Sequence, residues 1–436
     1  MLKGVGKVNG KEKTNGRMLE KNEEKNLSDK KKKRLASTPV QEIRWNPEEV
    51  FKENKYYTKI AAKFKVCKYI TIVLALVFTV VMLTVYSSDI TSENFQYLIK
   101  DLDITGLTSE GDFKSIVYSG GANSKFGIYK DELAVINAGT TSLYSSNGAL
   151  SFSETNIFYS PEIITSGKYF IVYDEGNTTR SYSLYNSFAH LKEEKLDYPI
   201  TGMTLSDRGS YAVITSGDGY KGVVRWYDED FKLISEIKKD KYIVAAKLSS
   251  NGQQIAVASI YDEGGEIVSE IMLLNKGEKE AAALLKSVGD VPISLSYMQN
   301  GNIVLQYTEK TVVYSSELEE VSSISLESLY SVRSHIGENL ICIVNNNTLI
   351  GDDKTINVYN DSGELISTFE QSGELLKISS FKEKICLLFE DRVVLLDSNG
   401  KKENLVTVEP NAIDVVFTSS GKPIICYAGN SYPIDF

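Results

Sequence analysis

Histidine is nearly missing from this chain: two occur in 436 residues, His190 and His335, and neither has a neighbour at metal-ligand spacing. That argues against a histidine-based zinc centre or a Ser-His-Asp arrangement. Tryptophan is as rare, with Trp45 and Trp226 the two copies. No GxSxG, HExxH or phosphate-binding glycine loop occurs, nor a Gly-His/Trp-Asp signature or a sialidase-type Asp box. Cysteine is limited to Cys67, Cys342, Cys386 and Cys426. The last three are odd in number, which excludes a complete disulfide framework among them. Each lies in an apolar run (LICIV, KICLL, IICYA), at one position of successive repeats. Repeats standing side by side hold such residues too far apart to bridge, so buried free thiols are expected.

Charge is missing altogether from one stretch. Tyr69 to Ser88 (YITIVLALVFTVVMLTVYSS) holds no ionisable acid or base other than tyrosine. As a helix rising about 1.5 Å per residue it is long enough to cross a hydrocarbon core ~30 Å thick. Before Tyr69 there are 19 Lys and Arg against 9 Asp and Glu, so the remainder of the chain holds 29 against 49. Six lysines, among them Lys63, Lys65 and Lys68, fall in the twenty residues before the run, and Lys100 alone in the twenty after it. The positive-inside rule then expects a cytoplasmic N-terminus and an extracellular bulk, with Tyr69 and Tyr86 at the interfaces. The 68 residues ahead of the run are too many for a cleaved signal peptide, so an uncleaved signal-anchor is expected.

The expected organisation is a disordered basic tail (1–45), a juxtamembrane helix (46–68), a transmembrane helix (69–88), a stalk (89–112) and one large domain (113–436). The tail is Lys, Glu, Asn and Gly with little to bury, and carries the block Lys30 to Arg34, suited to anionic lipid headgroups or to fixing topology. Without aromatic platforms it does not suggest nucleic-acid binding. Asn46-Pro47-Glu48-Glu49 reads as a helix start, with an N-cap, a first-position proline and acids in the first turn.

What the large domain has is repetition. An apolar strand ending in Tyr or Leu and followed by Asp, Asn or Ser recurs at Tyr144, Tyr185, Tyr227, Leu274, Tyr314, Tyr359 and Leu396, at steps of 37 to 47 residues. Each is preceded by a polar turn leading into a very apolar strand, as in Asn251-Gly252 before IAVAS or Lys130-Asp131 before LAVIN. Four antiparallel strands in roughly forty residues describe a propeller blade. The expected fold is therefore all-β: an eight-bladed β-propeller, with seven blades as the alternative, on a single N-terminal transmembrane helix. The last blade is short by one strand, which Phe113 to Tyr118 (FKSIVY) is expected to supply from the other end of the domain.

This layout resembles a family of single-pass bacterial membrane proteins carrying an extracytoplasmic propeller, similar to WD40 and quinoprotein propellers, as a domain of unknown function. The resemblance implies a cell-envelope location and transfers no catalytic residue. A quinone enzyme would in addition show blade-docking tryptophans and adjacent cysteines, and neither is found here.

The most suggestive surface is the set of acidic turns between second and third strands: Asp174-Glu175, Asp218, Asp262-Glu263 with Glu266, Asp352-Asp353 and Glu390-Asp391. They suit a face that steers a basic partner, and none has the spacing of a calcium loop. Ordinary solvated turns in an acidic domain are the simpler explanation of them. Three Asn-x-Ser/Thr sequences, at Asn177, Asn346 and Asn360, fall in loop-like places. The expectation is a non-enzymatic scaffold without cofactor or metal, binding an envelope protein or peptide and touching lipid through its helix and tail. A transmembrane signal transducer is the second reading, and a quinone-dependent or glycan-active enzyme the third.

Overall fold

The structure, a computed structural model, describes residues 55–85 and 113–434 except 177, 188, 218, 327–331, 349, 350, 398 and 400. The basic block, the Asn46 start, the stalk, Tyr86, Asn177 and Asp218 lie outside the described residues. The chain divides into two units, Met1–Ile90 and Thr91–Phe436.

In the first unit a single helix, α1 (Lys55–Val85), runs through both the lysine-rich segment and the apolar one. Its Lys59–Val81 portion is long and apolar enough to cross a membrane. Lys63, Lys65, Lys68 and Tyr69 are all exposed on it. Thr71 and Thr79 return their hydroxyls to the carbonyls of Cys67 (3.0 Å) and Ala75 (2.8 Å), so these side chains leave no unpaired donor on an apolar helix.

The second unit is an eight-bladed propeller. Short β-branched and aromatic runs separated by Gly, Asn, Asp and Ser favour strands joined by tight turns, and these pair into eight antiparallel four-stranded sheets. Blade I is β2–β5 (Lys125–Tyr129, Glu132–Ile136, Thr140–Tyr144, Leu150–Thr155) and blade II β6–β9 (Pro161–Thr165, Phe170–Asp174, Ser181–Tyr185, His190–Lys195). Blade III is β10–β13 (Ile200–Leu205, Tyr211–Gly217, Tyr220–Tyr227, Leu233–Lys239) and blade IV β14–β17 (Tyr242–Leu248, Gln254–Glu263, Glu266–Asn275, Ala283–Val288). Blade V is β18–β21 (Pro292–Tyr297, Ile303–Tyr307, Lys310–Tyr314, Glu320–Ser325) and blade VI β22–β25 (Val332–Ile336, Leu340–Asn346, Lys354–Asn360, Leu365–Gln371). Blade VII is β26–β29 (Leu375–Phe381, Lys384–Phe389, Arg392–Leu396, Lys402–Thr407). Blade VIII is β30–β32 (Asp414–Phe417, Pro423–Cys426, Asn430–Pro433) with β1 (Ile116–Val117) as its outer strand. The seven-bladed alternative is thereby excluded.

In each blade the strands run from the inner A to the outer D. Inner strands neighbour one another around the ring, and contact between β30 and β2 closes it. β1 pairs with β32 through Ile116 opposite Ser431 and Val117 opposite Asn430, as the short last blade demanded. Asp131 Oδ1 in the first turn of blade I accepts from the Ser419 amide (3.0 Å) and hydroxyl (2.5 Å) of blade VIII, a second link between the two ends.

Packing explains why the B strands are apolar without alternation. A blade is covered by a neighbour on both faces, so both sets of side chains are buried. On β23, Leu340, Cys342 and Val344 face blade VII, while Ile341 and Ile343 join the core shared with blade V. Eight such clusters fill the eight junctions. Cys342, Cys386 and Cys426 occupy B strands of blades VI, VII and VIII as buried free thiols.

The recurring Tyr/Leu-plus-polar unit has its own cause. In six blades the pairing of C with D shifts register at the motif, at Tyr144, Tyr185, Tyr227, Tyr314, Tyr359 and Leu396. The bulge turns the chain toward the outer strand. The following polar side chain then closes the turn: Asp228 Oδ1 accepts from the amides of Asp230 (3.0 Å) and Lys232 (2.9 Å), and Asn360 and Asp397 do the same for theirs. Asn360 is thus a turn residue, and Asn346 ends β23.

Candidate functional site

Because strands alternate in direction, the B–C turns and the connections from each D strand to the next A strand share one end of the propeller. The A–B and C–D turns share the other. Glu175, Asp262, Glu263, Glu266, Asp352, Asp353, Glu390 and Asp391 are all exposed at the first end. Asp262, Glu263 and Glu266 belong to the extended hairpin of β15 and β16, not to a loop.

Asp174 departs from the expectation. It is the last residue of β7 and fully buried. Its Oδ1 accepts from the amides of Tyr159 (2.9 Å) and Ser160 (2.6 Å), and its Oδ2 from the amide (3.1 Å) and hydroxyl (2.6 Å) of Thr179. Four donors leave it no capacity for a ligand, and it belongs to the frame that holds the connection from blade I to blade II.

The topology adds acids that a search of B–C turns alone misses. Asp197, Asp240, Glu374 and Glu409 lie in the D-to-A connections, and Glu309 in the turn of blade V, all exposed at the same end. Against them, among the described residues, the loops of this end carry Arg180 and Lys241, and the strand ends beside them add Lys125, Lys221, Lys239, Lys310, Lys354 and Arg392. Arg180 donates to the Asp197 carbonyl at 2.5 Å, and Lys241 to Glu270. The signal was available in the repeat, since two loops per blade must emerge on each face.

Exposed apolar side chains crowd this end too. Ile157 and Tyr159 stand in the first connection, 72% and 69% exposed, and Tyr220, Tyr242, Ile267 and Ile293 begin strands that start here. Lysines flank them: Lys221 lies over the Tyr242 ring at 4.8 Å and Lys241 over Tyr261 at 4.3 Å. Beneath, Glu270 is buried and receives both Lys239 (2.9 Å) and Lys241. Burial alone would raise its carboxyl, but the two ammonium groups outweigh that and hold it below the usual range.

At the inner strands a cavity of about 390 Å³ opens between Asn123, Lys125, Tyr159, Pro161, Lys377 and Asp414. Two ion pairs border it, Lys125 with Glu162 (2.5 Å) and Lys377 with Asp414 (3.4 Å). Burial pushes Asp414 up despite its lysines. Among the described residues no group of His, Cys, Asp and Glu is arranged to hold a metal ion.

Both histidines are strand residues with local partners. His190 stacks on Tyr185 (4.6 Å between centroids) and meets Glu154 Oε1 at 2.9 Å. His335 lies 2.8 Å from Ser380 Oγ, and burial, aided by the positive Lys377, pushes it down to about 4. A buried tyrosine cluster joins blades II and III. Tyr182 donates to Glu194 (2.7 Å) and Lys192 to the Tyr211 hydroxyl (3.0 Å), with Tyr211 stacked on Tyr227 at 4.7 Å. Burial raises the Tyr182 and Tyr211 phenols, so they remain protonated structural groups.

These features define an eight-bladed propeller whose one end presents acidic loops and exposed aromatic and aliphatic side chains. The chain belongs to a family of unknown function, DUF5711, whose model matches residues 113–433. Among solved structures it is similar to BamB from Moraxella catarrhalis, at 10% identity and a TM-score of 0.51, over 74% of this chain and 99% of that one. A eukaryotic initiation factor is similar at 12% identity and a TM-score of 0.50, over 70% of this chain and 80% of the other. At such identities the likeness is one of fold alone. No curated protein matches the chain.

Proposed function

We propose that this protein is a membrane-anchored scaffold whose extracytoplasmic propeller binds a protein or peptide partner through the end that carries the B–C turns and D-to-A connections. The observation that carries the reading is the exposure of Ile157, Tyr159, Tyr220, Tyr242, Ile267 and Ile293 among acidic loops. Aromatic and aliphatic anchors surrounded by charge are what a polypeptide partner buries, and the acids favour one with basic side chains. The anchor rests on α1: its side chains from Ala61 to Val81 are exposed, an arrangement that lipid relieves and water does not. Lysines ahead of the apolar run favour a cytoplasmic N-terminus.

A photo-crosslinking residue placed at Ile267 in the native host tests this directly. A discrete protein adduct is expected there, lost when Asp262 and Glu266 are changed to lysine, and missing when the crosslinker sits at Leu365 at the opposite end. Equal adducts from both ends, or none from Ile267, would sink the reading. Protease accessibility of the propeller from outside intact cells tests the topology separately.

A further inference from the structure

Between blades VI and VII the interblade core ends in a small pocket. β23 sends Leu340, Cys342 and Val344 toward blade VII, and the next residue of that alternation is Asn346. Across the ladder Asn346 faces Lys354, the first residue of β24, while Arg333 of β22 faces Val344. The connection into blade VII adds Glu374 and Leu375. These six residues line a cavity of about 170 Å³.

Its chemistry is unbalanced. Lys354 is 8% exposed, and its ammonium donates to the Asp352 carbonyl at 3.2 Å. Arg333 spends one nitrogen on the carbonyls of Leu375 and Leu376 (3.4 Å to the latter). Among the described residues no carboxylate lies within 4.0 Å of either cation. An ammonium withdrawn from water without a counter-ion is costly, and a lysine stem can usually carry its charge out to solvent. Here two cations with unspent donors instead converge on one cavity.

We propose that this pocket is a carboxylate-binding site, in which the Lys354 ammonium and the Arg333 guanidinium hold the carboxylate of a peptide C-terminus or of a free amino acid. Val344 and Leu375 supply apolar wall for the adjoining carbon atoms. Glu374 in the lining, with Asp352 and Asp353 just ahead of Lys354 in sequence, disfavours a doubly charged phosphate and accepts a singly charged carboxylate. A cavity of about 170 Å³ is well beyond what one water needs and has room for a terminal carboxylate with its adjoining carbons. The pocket lies at the acidic end beside Asp352, Asp353 and Glu374, but its occupant needs neither a membrane nor basic side chains.

The test uses the full chain in detergent, titrated calorimetrically with N-acetyl-Gly-Gly, with its C-terminal amide and with free alanine. Charge-assisted hydrogen bonds of this kind favour the acid over the amide by roughly tenfold to a hundredfold. Lys354→Met, which keeps the aliphatic stem, and Arg333→Gln should each erase that preference. If the acetylated acid binds and Glu374→Gln leaves it unchanged or tighter, the source is a polypeptide terminus. If alanine binds tighter and Glu374→Gln weakens it, the source is a free amino acid, its ammonium held by Glu374. Acid and amide binding alike, or neither the acids nor alanine binding at millimolar concentration, would overturn the proposal. So would a folded Lys354→Met that melts higher and binds the acid as before. Should Lys354→Met fail to fold, Arg333→Gln at its exposed position decides the same question.

Discussion

The Tyr118 hydroxyl lies 2.6 Å from the carbonyl oxygen of Asn430, across 312 residues of chain, and 2.8 Å from that of Tyr427. This contact fastens the segment carrying β1 to blade VIII at the one junction where a propeller can open. Tyr118→Phe keeps the ring and removes the one hydroxyl proton shared between the two carbonyls, of which that of Asn430 also accepts from the Tyr427 amide. It should cost about 1 to 2 kcal/mol in urea unfolding. An unchanged midpoint would mean that the strand pairing of Ile116 and Val117 alone holds the closure.

Asp174 separates framework from face. With four donors on one buried carboxylate, Asp174→Ala should destabilise the propeller by about 3 kcal/mol or more, lowering its melting temperature. Glu263→Ala, fully outside the core, should leave melting unaltered. The reverse order in a thermal scan would contradict the assignment of Asp174 to the frame.

Acid should destabilise the propeller in two separable steps. His335 is held at about 4 against an ordinary 6.5, so the unfolded chain takes up its proton first. Its contribution is complete above 6.5 and is lost as pH falls toward 4, amounting to about 2 kcal/mol by pH 5. His335→Gln should flatten that limb of the stability curve. Glu270 is depressed below 4.5, so its contribution is present above 4.5 and is lost as pH falls through its lower folded value. Glu270→Gln should cost about 3 to 5 kcal/mol at neutral pH by stranding two lysines, and the acid limb below 4.5 should shrink. Curves for the two variants that lose the same limb would refute the separation.

The three propeller thiols should be silent toward alkylating reagents. Each is buried, and burial pushes Cys342 up to about 12, Cys386 further, and Cys426 well above the ordinary thiol value. In a Cys67→Ser chain, mass spectrometry should find no adduct until denaturant is added. Rapid stoichiometric labelling of the native protein would show that blades VI to VIII open locally.

The repeat was legible because two local devices recur in most blades, the bulge in six of the eight. The residue at the C–D bulge is a large Tyr or Leu, and the one after it caps a turn, so Tyr227-Asp228 and Tyr359-Asn360 carry their geometry in neighbouring atoms. That spacing left eight blades or seven, and the eight four-stranded sheets decided for eight. Strand closure followed from counting what the last blade lacked. The acidic face was only partly legible, since Glu374 and Asp240 join it by belonging to connections between blades and not to turns within them.

What the sequence determined by itself was therefore the local and the periodic: an uncharged run beside a lysine cluster, turns with their polar caps, and strands apolar on both faces. Hydrophobic pattern and turn chemistry act over a few residues, and a chain displays them openly. Which polar groups were consumed by the fold was settled only in three dimensions. Asp174 and Asp262 look alike in sequence, yet one is enclosed by four donors and the other stands in solvent. Lys354 and Arg333 are ordinary cations until β22, β23 and the connection into blade VII bring them to one cavity. Burial and pairing depend on what packs against a residue from other blades, and that is a property of the closed ring.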